Sequence, residues 1–413
     1  VKLSRRAWFG VGGAAALGVA LPLYFRSRRS ESLKSLRSSA VPDFRLRDGF
    51  SAQIVDSSGS TMSDGFVVPG KPDGMASWSE DGRIILMRNH ELTDDQPLSA
   101  YPGRAAPQLA HKSNMFGGVT RVVLAEQDNS LLESNLVLTG TANNCAGGTS
   151  PWGWLSCEEF TAGDHGFVFL CDRNASNLQP PKRVEAYGRF RHEAVGIDPA
   201  TYDAYLTEDM GDGCLYRFKA EAKDNPFHGQ LQALACEKID VNKLNANDSL
   251  EVSWVDVNGW DAAKDDLRVR AAKAGATTFR RGEGVFTDVR DGKTHIYFTA
   301  TTGGRHGKGQ VFRLTPSKDG GLLSLVVEAP GGDSLEMPDN LCVAPSGHVF
   351  LAEDGSLPNG LAVVCPSGQL LTLAVNTGGG ELAGVTFIKD RLFVNLQQRG
   401  ITAVITGPFS ELA

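Results

Sequence analysis

From Val41 onward, short apolar runs alternate with polar turn dipeptides. Asp81-Gly82 precedes Arg83-Ile84-Ile85-Leu86-Met87, Asp291-Gly292 precedes His295-Ile296-Tyr297-Phe298-Thr299, and Ser346-Gly347 precedes His348-Val349-Phe350-Leu351-Ala352. Runs of this length, rich in β-branched and aromatic residues and bounded by turn formers, predict antiparallel hairpins. Helical periodicity is confined to Ala262 through Gly275. The 47 glycines fit a chain built of strands and tight turns, so the fold class is all-β.

A degenerate unit recurs along this pattern: an acidic or small polar residue beside Gly or Pro, a strand, a turn, and a second strand closing on another acid or amide. The units open near Asp73, Ser150, Glu193, Glu283, Asp339 and Glu381. Their second strands close at His90-Glu91, Glu158-Glu159, Glu208-Asp209, Thr301-Thr302, Glu353-Asp354 and Gln397-Gln398. Sheets repeated radially hide their edges around a central channel. The expected architecture is therefore a six-bladed β-propeller with insertions between strands, occupying residues 41–413 as one domain. Strand starts that carry acids would converge on its axis. Crowded carboxylates repel unless cations sit among them, so Asp73, Glu193, Glu208, Glu283, Asp339, Asp354 and Glu381 are candidate metal ligands.

The formal net charge of −7 supplies no basic surface for nucleic acid and favours cations over anions at long range. An anionic substrate would need local help from metals or arginine. Residues 1–25 read as a targeting segment, with Ser4-Arg5-Arg6-Ala7-Trp8-Phe9 as a twin-arginine motif before an apolar stretch to Phe25. Residues 26–40 are rich in Ser and Arg and read as a flexible linker. The expected partner is the twin-arginine export machinery, and the location is periplasmic or secreted, with tethering by an uncleaved segment as the alternative. Seven cysteines leave at least one unpaired in an exported protein.

The run Asn143-Asn144-Cys145-Ala146-Gly147-Gly148-Thr149-Ser150-Pro151-Trp152-Gly153 leads directly into Trp154-Leu155-Ser156-Cys157-Glu158-Glu159. It places a thiol in a turn and returns a pair of acids after one strand. A soft thiolate among hard carboxylates suits iron or zinc. The run resembles the PhoX-type bacterial alkaline phosphatases and their shorter relatives, in which N-N-C-A-x-G-x-T-P-W-G precedes C-E-E, and further matches extend the resemblance over roughly residues 65 to 409. The resemblance implies ferric iron held by Cys145, Glu159 or Glu158, Glu193 and Glu283, with calcium nearby. It also implies that Arg281 contacts phosphate, in the place of an Arg-Pro-Glu triplet. Here Gly282 replaces the proline, which predicts a looser turn in which Arg280 competes. Arg189 and Arg191 are further phosphate candidates. Asn143 and Asn144 read as turn residues, and His90, His192 and His306 as hydrogen-bond partners of nearby carboxylates. Gly303 to Gln310 reads as a flexible loop near the channel mouth.

No Gly-x-Ser-x-Gly, His-Glu-x-x-His or Cys-x-x-Cys is present, which argues against serine hydrolase, zincin and thioredoxin-like chemistry. The leading expectation is an exported, monomeric, metal-dependent phosphomonoester hydrolase acting on a small phosphate ester. The alternatives are a calcium-dependent lactonase or phosphotriesterase, and a non-catalytic exported propeller that binds a ligand.

Overall fold

A computed structural model describes residues 35–237, 239–259, 264–330, 335–355 and 358–412. The twin-arginine segment and most of the linker lie outside the described residues. The predicted hairpins form where the turn dipeptides stand. Asp81 and Gly82 both take positive φ, as do Asp291 and Gly292, the geometry that two-residue hairpins require. Glu80 pairs with Arg83 and Arg290 with Lys293 across these turns.

The β-sheets stack radially as a propeller. One sheet runs Pro72–Glu80, Arg83–His90, Gly117–Ala125, Leu131–Thr141, and the next runs Asn144–Ser150, Gly153–Glu158, Val168–Cys171, Arg183–Val184. A nine-stranded sheet begins at His192–Ile197 and ends at Gly282–Arg290. A six-stranded sheet has Pro338–Val343 at one edge. The last joins Leu382–Ile388, Arg391–Leu396 and Ile401–Thr406 to Ser51–Ser57 from the other end of the chain. Separate sheets were expected for each repeat. Instead Ser249–Asp256 pairs with Asn225–Ala235 on one side and Gly320–Glu328 on the other, fusing two units into the nine-stranded sheet. Arg37–Ser38, read as linker, pairs with Phe44–Leu46 at the far edge of the six-stranded sheet. The predicted helix is present as α1, Leu267–Lys273.

The inner strands pack face to face in sequence: Pro72–Glu80 on Asn144–Ser150, then His192–Ile197, Gly282–Arg290, Pro338–Val343 and Leu382–Ile388, which returns to Pro72–Glu80. Side chains from neighbouring sheets form the core between them. Leu155, Val168 and Leu170 meet Val195, Ile197 and Leu206, each such burial contributing about 1.5–3 kcal/mol. Closure by the distant strand is reinforced by a buried ion pair. Arg88 reaches Asp56 Oδ2 at 3.1 Å and Thr402 Oγ1 at 2.6 Å, tying both closing strands to the first sheet.

Near the axis the strands approach so closely that glycine is required. A Cβ on Gly148 would fall 1.6 Å from the carbonyl oxygen of Val195. The channel below the acid-bearing mouth is accordingly narrow, with a cavity of about 60 Å³ lined by Gly74, Gly147, Gly148, Gly196 and Gly284 among others. Gly148→Ala should therefore destabilise the protein by about 3 kcal/mol or more. Gly211→Ala, with open space around its Cβ, should stay within about 0.5 kcal/mol of the parent. Chemical denaturation of the two variants checks this, and equal midpoints would contradict the packing described.

An acid-lined mouth built by repeated bulges

All six inner strands carry a β-bulge, at the same place in five and one residue later in the sixth. Pro72 pairs with His90 and Met75 with Arg88, so one extra residue is inserted between them. The same offset separates Asn144 from Gly147, His192 from Val195, Gly282 from Val285, Pro338 from Leu341 and Ala383 from Thr386. A bulge bends the strand and re-aims a side chain. The inner-tier residue is Asp73, Cys145, Glu193, Glu283, Asp339 and, in the last strand, Ala383, which follows Glu381 by two residues as Asp73 follows Lys71. Gly384 aligns instead with Gly284: an added Cβ would lie 2.2 Å from the Asp73 carbonyl oxygen, as one on Gly284 would lie 2.6 Å from that of Asp339.

A main-chain hydrogen bond also recurs in every unit. The residue two before the bulge in five units, and Glu381 in the last, accepts the N–H of the residue that ends the second strand. The pairs are Lys71 with Glu91, Asn143 with Glu159, Arg191 with Asp209, Arg281 with Thr301, Met337 with Asp354, and Glu381 with Gln397. Three tiers result: a rim, a middle tier closing the second strands, and the bulged inner tier. Glu381 was expected at a strand start like Asp73. It stands on the rim instead, yet it reaches the axis, for one oxygen each of Asp73, Glu91 and Glu381 lies within 4.8 Å of the others.

Alternation along a strand sends neighbouring side chains to opposite faces. This separates the paired acids. Glu159 reaches the Nδ2 of Asn143 at 3.1 Å and Arg191 at 3.2 Å in the middle tier. Glu158 turns the other way: its Oε1 takes the Ala142 N–H at 2.9 Å and sits 2.7 Å from His165 Nδ1, and its Oε2 takes the Gly166 N–H at 2.9 Å. Those contacts saturate it, so of the two candidates Glu159 is the one facing the cluster. Glu208 is likewise committed elsewhere, accepting from Tyr216 Oη at 2.7 Å and paired with Arg268 at 3.3 Å, while Asp209 faces the mouth. Burial, partly relieved by Tyr216 and Arg268, pushes Glu208 up to about 7. Sequence reasoning passed over Glu91 and Asp209 as ligand candidates, although each closes a second strand in the repeat.

The electrostatics are those of like charges out of water. Burial raises the Asp73, Glu193 and Glu283 carboxyls well above the usual range, and the charge of Asp339 adds to each. Glu159 is pushed up to about 8 by burial, then by Asp209 and Glu91. Glu381 rises to about 11 by burial, then by Asp73 and Asp354, and Asp339 rises to about 6 for the same first reason. Gln397 Nε2 donates to Asp73 at 2.9 Å and to Glu91 at 3.0 Å, and Asn143 Nδ2 spans Glu91 and Glu159. Asp73 Oδ1 remains buried with no hydrogen-bond partner.

Cys145 occupies its inner-tier position but not the open mouth. Its thiol sits 3.2 Å from the carbonyl oxygen of His192 and 3.6 Å from that of Glu193, packed with Leu155 and Val195. Burial, then the charges of Glu193 and Glu159, lifts the thiol far above its ordinary value. All seven cysteines are buried and free.

Arg281 takes a left-handed backbone, φ +53°, ahead of Gly282. The expected looseness is absent, because its N–H bonds to Met210 O at 2.9 Å and its carbonyl accepts from Thr301 at 2.8 Å. Its fork holds Asp209 through Nε at 2.9 Å and Nη2 at 3.2 Å, and Nη2 meets Glu283 at 2.5 Å. Arg280 is exposed outside this network. Arg189 is buried and donates to the Thr161 and Gly163 carbonyls, a structural task. His90 bonds Gly70 O and Thr120, and His192 bonds Gly188 O, so neither contacts a carboxylate. Asn144 donates to Ser156 Oγ at 2.9 Å and accepts from Thr141, a turn-holding role. The loop Gly303 to Gln310, expected to be flexible, is anchored through Arg305 to Glu328 at 3.1 Å and to Asn245 at 2.8 Å, and through Lys308 to Glu336.

The vanadate complex of PhoX from Pseudomonas fluorescens superposes with a TM-score of 0.71 at 19% identity, covering 88% of this chain and 96% of that one. A virginiamycin B lyase from Staphylococcus aureus reaches a TM-score of only 0.45 at 12% identity, covering 86% of this chain and 99% of that one. No curated protein matches the sequence. The family described as alkaline phosphatase PhoX matches residues 132–400, well over half of the chain. With the repeat and the acid-lined mouth falling inside one propeller, the chain belongs to the alkaline phosphatase PhoX family.

Proposed function

We propose that this chain is an exported, metal-dependent phosphomonoester hydrolase working at the acid-lined mouth of a propeller of six repeats, the nine-stranded sheet counting as two. The observation that carries the reading is the group of buried Asp73, Glu193, Glu283 and Asp339 and half-buried Glu91, Glu159, Asp209, Asp354 and Glu381 around a positively charged Arg281. So many acids are tolerable out of water only when neutral or when matched by cations. The unpartnered Asp73 Oδ1 fits that requirement.

The all-oxygen group Asp73, Glu91 and Glu381 suits a hard cation such as calcium. Cys145, Glu159, Glu193 and Glu283 would hold iron, to which the thiolate is suited. Bound cations would supply the Lewis acidity that withdraws charge from the phosphoryl oxygens. Gln397 and Asn143 orient Asp73, Glu91 and Glu159 through their amide donors. Asp209 fixes the plane of the Arg281 guanidinium, which stays charged and matches two phosphoryl oxygens as charge develops on them.

Cys145→Ala, Glu193→Gln and Glu283→Gln should each lower bound iron and reduce hydrolysis of a generic phosphomonoester by orders of magnitude in folded protein. Glu251→Gln, on an exposed strand position, should leave both unchanged. Normal iron and activity in Cys145→Ala would refute the proposed centre, and lactone hydrolysis without phosphatase activity would favour the lactonase reading.

Protein treated with a chelator should lose stability as pH rises. Glu159 is neutral in the folded state up to about 8 but ionises near 4.5 when unfolded, so the folded state binds the extra proton across that window. Its contribution is complete below about 4.5 and lost through about 8, and cations that bind the ionised form should reverse the trend. Melting curves across this range, with and without added calcium and iron, test it. A flat profile in chelator would contradict it.

Export should fail when Arg5 and Arg6 are both replaced by Lys, leaving folded protein in the cytoplasm. Unchanged periplasmic yield would remove the twin-arginine assignment.

A further inference from the structure

The rim tier contains Lys71, Asn143, Arg191, Arg281, Met337 and Glu381, and three of these are cations. Four of the six, Lys71, Asn143, Arg281 and Met337, have φ between +44° and +53°, a conformation that non-glycine residues adopt rarely and that costs about 1 kcal/mol or more. Repeating it at one structural position is a property of the mouth rather than of one turn. Through their carbonyls these four accept the N–H of Glu91, Glu159, Thr301 and Asp354 in the middle tier.

The cations are not equally committed. Arg281 is engaged by Asp209 and Glu283, with Asp354 at 3.8 Å. Among the described residues Arg191 makes one long side-chain contact, Nη1 to Glu159 at 3.2 Å, and its Nε is buried without a partner there. Its side chain is nevertheless 41% exposed at the mouth. Lys71 forms no ion pair with any described residue, although its charge acts on Glu91. A dianion entering this mouth must pass Glu91, Glu159, Asp209 and Asp354, which repel it, in a protein of net charge −7. Donors with spare capacity at the rim answer that repulsion locally.

We propose that Arg191 and Lys71 join Arg281 in a cationic collar that binds the substrate's phosphoryl group and selects dianionic monoesters over singly charged diesters. The proposal rests on the phosphatase reading above. Arg191 is a binding residue here, distinct from the buried Arg189 two positions earlier.

The test combines kinetics with equilibrium binding on the metal-loaded full chain. Arg191→Ala should raise KM for a phosphomonoester, and weaken inhibition by inorganic phosphate, by about tenfold or more, with a smaller change in kcat. Lys71→Met should shift both in the same direction by less. The ratio of monoester to diester hydrolysis should fall in both variants. Arg191→Lys, which keeps the charge but loses the fork, should lie between parent and Ala, and it serves if the Ala variant does not fold. Bound metal is measured in each. Unchanged KM and phosphate inhibition with intact metal would overturn the collar. So would loss of metal with unchanged KM in the residual activity, because Arg191 would then only hold Glu159. If the parent hydrolyses no phosphomonoester, the phosphatase reading fails on its own. Calorimetry with inorganic phosphate then decides the collar: weaker binding by Arg191→Ala supports it, and equal or absent binding by the parent overturns it.

Discussion

The structure depends on a single electrostatic constraint, which is that acids crowded out of water at one mouth must be neutral or compensated. Burial is the first cause of the raised carboxyls at Asp73, Glu193, Glu283 and Glu381, and the charge of a neighbouring acid, Glu91, Asp339, Asp339 and Asp73 in turn, is the second. Everything around them can be understood as management of that charge. Gln397 and Asn143 donate amide hydrogens, Arg281 is held between Asp209 and Glu283, and Cys145 is kept as a neutral thiol against backbone carbonyls. A fold seeking stability alone would place apolar side chains on the axis. The tolerance of this arrangement is the physical signature of a site.

The backbone device that creates the site is modest. One extra residue in each inner strand re-aims a side chain, and one main-chain hydrogen bond per unit fixes the rim over the middle tier. The same two devices, repeated, give tiers whose occupants vary freely. The inner tier carries Asp, Cys, Glu or Ala, and only in the sixth strand does the bulge move, by one residue. This separates the scaffold from the chemistry, as expected where function is grafted on a common architecture.

Much of the scaffold was legible in the sequence because it is local. Asp81-Gly82 and Asp291-Gly292 encode their hairpins by backbone conformation alone, and Asp73, Glu283 and Asp339 stand beside a Gly or Pro at their bulges. What required the structure was register. A one-residue difference moves a side chain to the opposite face, so Glu158 and Glu208 resembled Glu159 and Asp209 until the strand pairing separated them. The offset of Glu381, the use of Gly384 in the bulge and the fusion of two units by Ser249–Asp256 are all long-range pairings with no local signal. Cys145 was conspicuous as a residue type, but its placement against the His192 carbonyl depends on a neighbouring sheet.

The closing strand has a consequence for biogenesis. Gln397, which holds Asp73 and Glu91, lies 324 residues beyond Asp73, and Ser51–Ser57 is paired with Ile401–Thr406. The group of Asp73, Glu91 and Glu381 therefore lacks the amide of Gln397 until the last hairpin has been made. Until then a nascent chain carries these acids without the donor that bridges two of them. The mouth is completed only where the distant strands have paired, so whatever compensates its acids acts on the assembled ring only in the compartment in which the ring closes.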